Sequence, residues 1–415
     1  MNTIASIIRA GLILFFLVMP SATIAWAQNF ELVTNYALPE GAFGVFLDGN
    51  TAYIANDTSG IEIIDVTDPY GPFTVGSIST PGFTRSVVAV GNYAYVADGD
   101  SGLQVIDISE PSTPMIVGAY DTAGTALTVY VSGSYAYVAN GYSGMLVIDI
   151  SDPTNPTLAG TYTNAGYNMG VEVSGTYAYL TANFLEPDYG ELQVIDISDP
   201  GNPAYLASGN IPGGAYGVHI HGDVAFVAAF DYGLRIFDIS FPPSPVQMGN
   251  YNTSGSAKHV HVTGNFAFVA DGLSGIEAFD VSDPYFPVIV DSFNTQGIAT
   301  DVFEAGGYVY IADDFSLQIL RFVQPGCSYI AGDINDNDQA NGVDISYGVN
   351  YFKGFGDPPP VVCQDCPDPG QMLFGAGDVN GNCQFNGVDI SYFVNFLKGV
   401  GPALSSCPNC PAIGR

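Results

Sequence analysis

Cations are what this chain has least of: eight Lys and Arg stand against 41 Asp and Glu in 415 residues, a formal net charge of −33. Such a surface repels phosphate backbones and anionic lipid, which excludes nucleic acid as an expected partner and suits a solvated extracellular protein that gathers divalent cations. Tryptophan occurs once, at Trp26, and histidine four times. Cysteine is missing until Cys327, after which Cys363, Cys366, Cys383, Cys407 and Cys410 follow, so covalent stapling is confined to the C-terminal tail. Long apolar runs are missing too. The one near the start, Gly11 to Met19 behind Arg9, is too short to span a bilayer, and Ala25-Trp26-Ala27 fits signal-peptidase cleavage before Gln28. Residues 1–27 are therefore expected to be removed, leaving an exported product with no transmembrane helix and no tryptophan.

What is present is repetition. The stretch Tyr93 to Pro114, YAYVADGDSGLQVIDISEPSTP, returns in near copies at Tyr135, Tyr177, Val224 and Phe266, with diverged copies at Thr51 and Tyr308. The marker Asp65, Asp107, Asp149, Asp196, Asp238 and Asp280 advances in steps of 42, 42, 47, 42 and 42, and Arg321 takes the next place after 41. A strand-rich period of this length predicts a β-propeller. Each repeat has an inner strand with valine at one fixed position (Val45, Val87, Val129, Val171, Val218, Val260, Val302), a glycine turn, and a Tyr-Ala-Tyr strand alternating with period two. A third strand ends in Ser-Asp-Pro, whose proline pre-sets the backbone of a turn. Apolar residues occupy both faces, as sheets buried between neighbouring blades require.

The last repeat, Val302 to Phe322, supplies three strands and stops, whereas Phe30 to Gly41 matches the segment that follows each marker, such as Met115 to Gly124. The expected fold class is thus all-β, a seven-bladed β-propeller closed by its N-terminal strand, which leaves no sheet edge at the junction. Repeats reading GLxVIDISDPxxP resemble the LVIVD-repeat family over about residues 30–323. That resemblance implies a bacterial extracellular or cell-surface propeller and is nearly silent about function. The chain divides as a signal peptide, 1–27, a propeller, 28–323, and a tail, 324–415.

The tail carries two 12-residue loops, Asp333 to Asp344 (DINDNDQANGVD) and Asp378 to Asp389 (DVNGNCQFNGVD), each ahead of an amphipathic helical pattern. Together they resemble a type I dockerin, a small α-helical domain made of two calcium loop–helix units. Calcium takes oxygen ligands from loop positions 1, 3, 5, 7, 9 and 12. The first loop offers Asp333, Asn335, Asn337, the Gln339 carbonyl, Asn341 and Asp344; the second offers Asp378, Asn380, Asn382, the Gln384 carbonyl, Asn386 and Asp389. Position 6, where glycine normally makes a left-handed turn, is Asp338 in one loop and Cys383 in the other. Dockerins contact a cohesin through positions 10 and 11, here Gly342-Val343 and Gly387-Val388 rather than a hydroxylic or larger pair. The resemblance implies Ca2+ as cofactor and a protein partner, a cohesin among the candidates. Cys363-Gln-Asp-Cys366 and Cys407-Pro-Asn-Cys410 have four-thiolate zinc spacing, whereas export favours disulfides among the six cysteines. Both readings stay open.

In the propeller, the residue two before each valine varies most: Phe43, Arg85, Leu127, Met169, Tyr216, Lys258, Thr300. Variation inside a faithful repeat marks a surface released from packing, and Arg85, Tyr216 and Lys258 make this axial mouth a candidate site for an acidic or glycan ligand. His219 and His261 occupy equivalent places on neighbouring inner strands, with His259 and His221 beside them. They are candidate ligand or transition-metal residues, or else packed, hydrogen-bonded imidazoles. Asn56, Asp98, Asn140, Asp271 and Asp313 recur after the second strand and are expected to form Asx turns. No Ser/His/Asp order, phosphate-cradling loop or asymmetric carboxylate pair stands out. The expected function is a secreted or cell-surface binding scaffold docked through its calcium module. The alternatives are a polysaccharide-acting enzyme on a propeller scaffold and a structural surface-layer component.

Overall fold

The computed structural model describes residues 29–185 and 188–323. The leader, both calcium loops and all six cysteines lie outside the described residues.

Each repeat folds as an antiparallel sheet because its strands are joined by turns too short for anything else. The first blade runs Gly44–Asp48, Thr51–Ala55, Ile61–Asp65 and Phe73–Ile78, innermost to outermost, and the next five repeat that order. The inner hairpin turns on two residues led by a glycine with φ near +60°, such as Gly49 at 56° and Gly91 at 59°. A left-handed residue is unstrained there only without a Cβ. After the third strand the marker aspartate closes its own turn: Asp107 Oδ1 accepts the Ser109 N–H at 2.9 Å, and Asp65, Asp149, Asp196, Asp238 and Asp280 do the same two residues on. These hydrogen bonds hold the carboxylates of Asp65, Asp107, Asp149, Asp196 and Asp238 below their ordinary range. The Asp of Ser-Asp-Pro makes a second such turn at Asp68, Asp152, Asp199 and Asp283. The repeat signature is therefore a pair of consecutive Asx turns that starts the outer strand.

Seven sheets form, and among the described residues every regular element is a strand. Each inner strand contacts the next, and the inner strand of the seventh blade, Ala299–Ala305, contacts that of the first. Apolar packing lies between blades: each of the seven clusters of buried side chains draws on two neighbours, as where Ala97 and Leu103 of the second blade meet Val129 and Ala136 of the third. The small residue of the Tyr-Ala-Tyr strand, Ala52, Ala94, Ala136, Ala178, Ala225 or Ala267, is fully buried where blades converge. Further out, Gly76, Gly118, Gly160 and Gly249 on outer strands leave no room for a Cβ against the carbonyl of Pro111, Pro153, Pro200 and Pro284 of the following blade. Each turn is thus seated on its neighbour.

The seventh blade is completed from the other end of the chain. Tyr308–Phe322 folds back on itself as the expected pair of strands, turning at Asp314 (φ 51°) with the Phe322 N–H donating to Gly307 O at 2.9 Å, and Tyr308–Asp313 pairs with Ala299–Ala305. Its second half, Ser316–Phe322, pairs with Phe30–Ala37 of the N-terminal strand. That strand skips a residue between Leu32 and Thr34, the same bulge that every outer strand makes against its third strand, as between Thr74 and Gly76. It is an outer strand in register as well as in sequence. Asn29 and Phe30 donate their backbone N–H groups to Asp291 Oδ2 of the sixth blade at 2.6 and 2.8 Å, and the Phe30 ring packs 5.2 Å from that of Phe322 and 6.3 Å from that of Phe268.

Phe30→Ala removes an aromatic that is 4% exposed at the closing seam and is expected to cost about 3 kcal/mol. Phe286→Ala, at a site 74% exposed, should leave stability within about 0.5 kcal/mol. Denaturant unfolding of the two variants checks this, and equal effects would mean the seam does not hold the ring.

Candidate functional site

The inner strands bring three registers of the repeat to the axis. Two residues before the valine, the chain in five of the seven blades is not yet in strand, but its N–H still bonds to the end of the second strand, as Arg85 N to Ala97 O and Lys258 N to Ala270 O, both at 2.8 Å. All seven of these residues, from Phe43 to Thr300, line one cavity of about 360 Å³ at the start of the inner strands. The sequence pattern and the geometry agree on the mouth. Its two cations sit on aromatic faces: the Arg85 guanidinium lies 4.2 Å from the Phe43 ring centre, and Lys258 Nζ lies 4.3 Å from Phe230 and 4.9 Å from Tyr216. Tyr216 and Phe230 stack at 4.9 Å, nearly parallel at 13°. Fourth-blade side chains hold the chain around Tyr216, since Thr181 Oγ1 donates to Tyr216 O and Asn183 Nδ2 to Ala215 O. Burial lowers the Lys258 pKa, partly offset by Asp231. Among the described residues the only other cations are Arg235, which is 4% exposed inside the fifth blade, and Arg321, paired with Glu31 at 3.8 Å. The five extra residues of the fourth repeat lengthen its hairpin to Tyr177–Leu185 and Asp188–Asp196, which rises on this same face.

Deeper along the axis the residues one before and one after the valine line a second cavity of about 310 Å³. The four histidines divide here. His219 and His261 face one another with ring centres 4.8 Å apart, and His261 lies 4.4 Å from Phe303. Burial depresses both, His219 to about 4 and His261 to about 2. His259 Nδ1 stands 2.6 Å from Asp301 Oδ1, off the line of a good hydrogen bond. Burial opposes its charge, but Asp301 and Glu172 outweigh that and its pKa is raised. Gly217 admits that ring, since a Cβ there would stand 2.5 Å from His259 Cδ2. His221, at the exposed end of its strand, does not join them. Among the described residues no group of three or more His, Cys, Asp or Glu is placed to hold a metal ion.

Two acidic members were missed in the sequence. Glu172 follows Val171 directly and Asp301 precedes Val302, and both reach the axial cavity. Glu172 Oε2 accepts the Ile220 N–H at 2.9 Å and lies 3.8 Å from His219 Nδ1. Burial pushes its pKa up to about 8 against the pull of Ile220 and His259, so it is a neutral acid at pH 7. Asp301 caps the next blade instead, accepting the Val45 N–H at 2.9 Å through Oδ2. Two carboxylates that no motif announced therefore line the axial cavity. The signal was available, because the residue after the valine reads Phe46, Val88, Tyr130, Glu172, His219, His261, Phe303, as varied as the register two before it.

The recurring Asx ring is not made of Asx turns. Asn56, Asp98, Asn140, Asp271 and Asp313 are at most 2% exposed; Asn56 donates to Glu62 of its own sheet, and the other four bridge to the segment that leads into their own blade. Asp98 accepts the hydroxyls of Thr80 and Thr84 and the Gly82 N–H, and Asn140 exchanges two hydrogen bonds with Thr122. Long-range satisfaction of a buried polar group won over the local turn. The sixth blade is the exception in its partner: Asp271 shares its surroundings with Glu277, whose Oε2 has no hydrogen-bond partner. At the same register Asp313 has Gln318, which donates through Nε2 at 2.6 Å.

Compared with known proteins, the family model described as LVIVD repeat matches residues 41–80, 81–122, 123–164, 165–209, 212–253, 254–295 and 296–320. No curated protein matches the chain. Among solved structures, the computationally designed Ika8 protein is 8% identical with a TM-score of 0.54, covering 71% of this chain and 100% of its own. The Cps50 (Swd1) β-propeller domain of Myceliophteria thermophila is 12% identical with a TM-score of 0.57, over 70% of this chain and 99% of that one. Kuenenia stuttgartiensis hydrazine synthase is 15% identical with a TM-score of 0.57, over 69% and 97%. At these identities the likeness is one of fold alone.

Burial, with Glu277 adding to it, raises Asp271 to about 6, so the native protein holds a proton that the unfolded chain releases nearer 3.8. That contribution is full below the ordinary carboxylate value and lost as pH rises through about 6. Glu277→Gln removes the like charge and supplies a donor, so it should stabilise the protein by about 1 kcal/mol at about pH 8 and flatten the decline. Thermal unfolding across the pH range checks this, and a destabilised variant at high pH would refute it.

Proposed function

The chain belongs to the LVIVD-repeat family, and on that premise we propose that it is a secreted binding scaffold whose axial mouth takes an acidic, sugar-like ligand. The observation that carries this reading is where the positive charge lies. In a chain of net charge −33, the two described cations neither sunk in a sheet nor paired with a carboxylate both line one aromatic cavity. Arg85 and Lys258 would meet carboxylates, and Tyr216 and Tyr167, beside Tyr142 at 4.8 Å, would meet the carbon faces of sugar rings. Closure of the ring by strand pairing makes the mouth a rigid platform, which lowers the ordering cost of binding.

The tail completes the proposal. Its two loops offer calcium twelve correctly spaced ligand positions, from Asp333 to Asp344 and from Asp378 to Asp389, and a dockerin-like unit would fix the scaffold to a protein partner outside the cell. The apolar leader and the confinement of cysteine to the tail support export, with disulfides rather than zinc. One observation favours the enzymatic alternative: Glu172 lines a ligand-sized cavity where burial raises its pKa, the direction a general acid needs. Turnover of the same saccharides would establish it.

Calorimetry of the full-length protein with uronate oligosaccharides should show saturable binding, weakened about tenfold or more by Arg85→Ala and by Lys258→Ala, a loss of about 1.4 kcal/mol or more each. No saturable binding to any uronate by the unmutated protein sinks the reading of the mouth. Titration with millimolar calcium should release heat at one site or more. Asp333→Ala combined with Asp378→Ala should abolish it, and a silent titration of the unmutated protein would remove calcium from the account.

A further inference from the structure

The deeper chamber differs in kind from the mouth above it. One side of its wall is apolar and aromatic, made by Phe303, Phe46, Val88 and Tyr130 from the seventh, first, second and third blades. The other side is polar, made by Glu172, His219 and His261 from the fourth, fifth and sixth, with His259 and Asp301 alongside. A pyranose ring has the same division, a face of C–H bonds and an edge of hydroxyls, and apolar walls with a few convergent polar groups are the usual composition of a small-ligand site. The chamber's volume, about 310 Å³, suits one ring. The polar groups are reachable, with His219 20% and Glu172 14% exposed in their side chains.

We infer that the chamber is a subsite for the terminal sugar ring of an acidic saccharide, entered through the mouth, with the ligand's carboxylates left outside on Arg85 and Lys258. This rests on the proposed reading of the mouth and deepens it. Charge sets the direction of entry. The mouth holds Arg85 and Lys258, whereas the chamber adds Glu172 and has no Lys or Arg, with Asp301 and His259 lining both spaces. A carboxylate inside would give up its hydration with no Lys or Arg to meet it, but hydroxyls find a carboxyl whose neutral form is favoured and two neutral imidazoles, each able to donate or accept. Ser86, Thr128, His259 and Asp301, among others, line both cavities, so the two spaces adjoin along the axis.

Recognition by a neutral Glu172 carries a pH signature. The groups that face it are Tyr130 of the third blade, His219 of the fifth, His259 and His261 of the sixth and Asp301 of the seventh. His219 and His261, at about 4 and about 2, stay neutral from mildly acid to alkaline pH. As pH rises through about 8, Glu172 ionises, loses its donor and repels an acidic ligand. Loss of charge from His259 acts in the same direction.

The test uses the full-length protein, trisaccharides in which two galacturonate, glucuronate or mannuronate residues carry a neutral terminal hexose, and calorimetry at about pH 6 and about pH 9. Affinity for the trisaccharide that binds best should fall about tenfold or more between the two, and Glu172→Gln, which still accepts the Ile220 N–H, should remove most of that fall. Val88→Trp, which fills the chamber from the apolar side, should weaken binding about tenfold or more at about pH 6 with Arg85 and Lys258 intact. Binding unchanged by Val88→Trp, or a pH profile unchanged by Glu172→Gln, overturns the chamber and leaves the mouth. Should no trisaccharide bind the unmutated protein while calorimetry of the other uronate oligosaccharides still reports the mouth, the chamber alone fails; with neither, both fail.

Discussion

One pairing holds the molecule in its shape: Phe30–Ala37 hydrogen-bonded along Ser316–Phe322. Without it the seventh blade would expose an unpaired edge and the ring would be a stack of sheets with two free ends. With it, each of the seven apolar clusters has a wall on both sides, because the closing strand places Phe30 in the cluster shared by blades six and seven and Leu38 in the one shared by seven and one. The pairing spans nearly the whole propeller in sequence, so closing it costs more chain entropy than closing any of the local hairpins. Asp291, which accepts the backbone N–H groups of Asn29 and Phe30, gives that long-range strand a polar anchor beside its aromatic one.

Closure also explains where the repeat is strict and where it is free. A residue that packs between blades meets the same environment seven times, so valine and alanine recur there. A residue facing the axis meets only the open channel, and the requirement to repeat disappears. The registers one before, one after and two before the valine escape in this way, and they hold Arg85, Lys258, Glu172, Asp301 and the clustered histidines. Asymmetry concentrates at the axis because symmetry is enforced everywhere else by packing.

The fold was legible because its evidence is periodic: the marker aspartates count the blades and the orphan segment at Phe30 supplies the missing strand. The mouth was legible for the opposite reason, as a gap in periodicity at Phe43, Arg85 and their counterparts. Glu172 and Asp301 escaped because a carboxylate beside a valine in a strand carries no motif, and its burial depends on neighbours from other repeats. The buried ring from Asn56 to Asp313 was misread because Asx residues after a strand have a familiar local use. Here that use belongs to the marker aspartates, and the ring reaches across to Thr80, Thr84 and Thr122 instead. Local chemistry reads well from one repeat, and contacts between segments do not.

The distribution of charge follows from the same geometry. Carboxylates spread over the outside of the propeller raise a negative potential that an acidic ligand must cross, and water and salt screen it over about 8–10 Å. At the mouth the two cations are partly withdrawn onto aromatic faces, where screening is weaker and attraction at short range is stronger. A small anion gains little from that arrangement, since it meets one cation at a time against the surrounding field. A longer ligand with carboxylates at intervals can engage Arg85 on the second blade and Lys258 on the sixth together, while its uncharged end reaches the chamber past them. On the proposed reading, length and charge spacing, more than net charge, are the properties this axis would select.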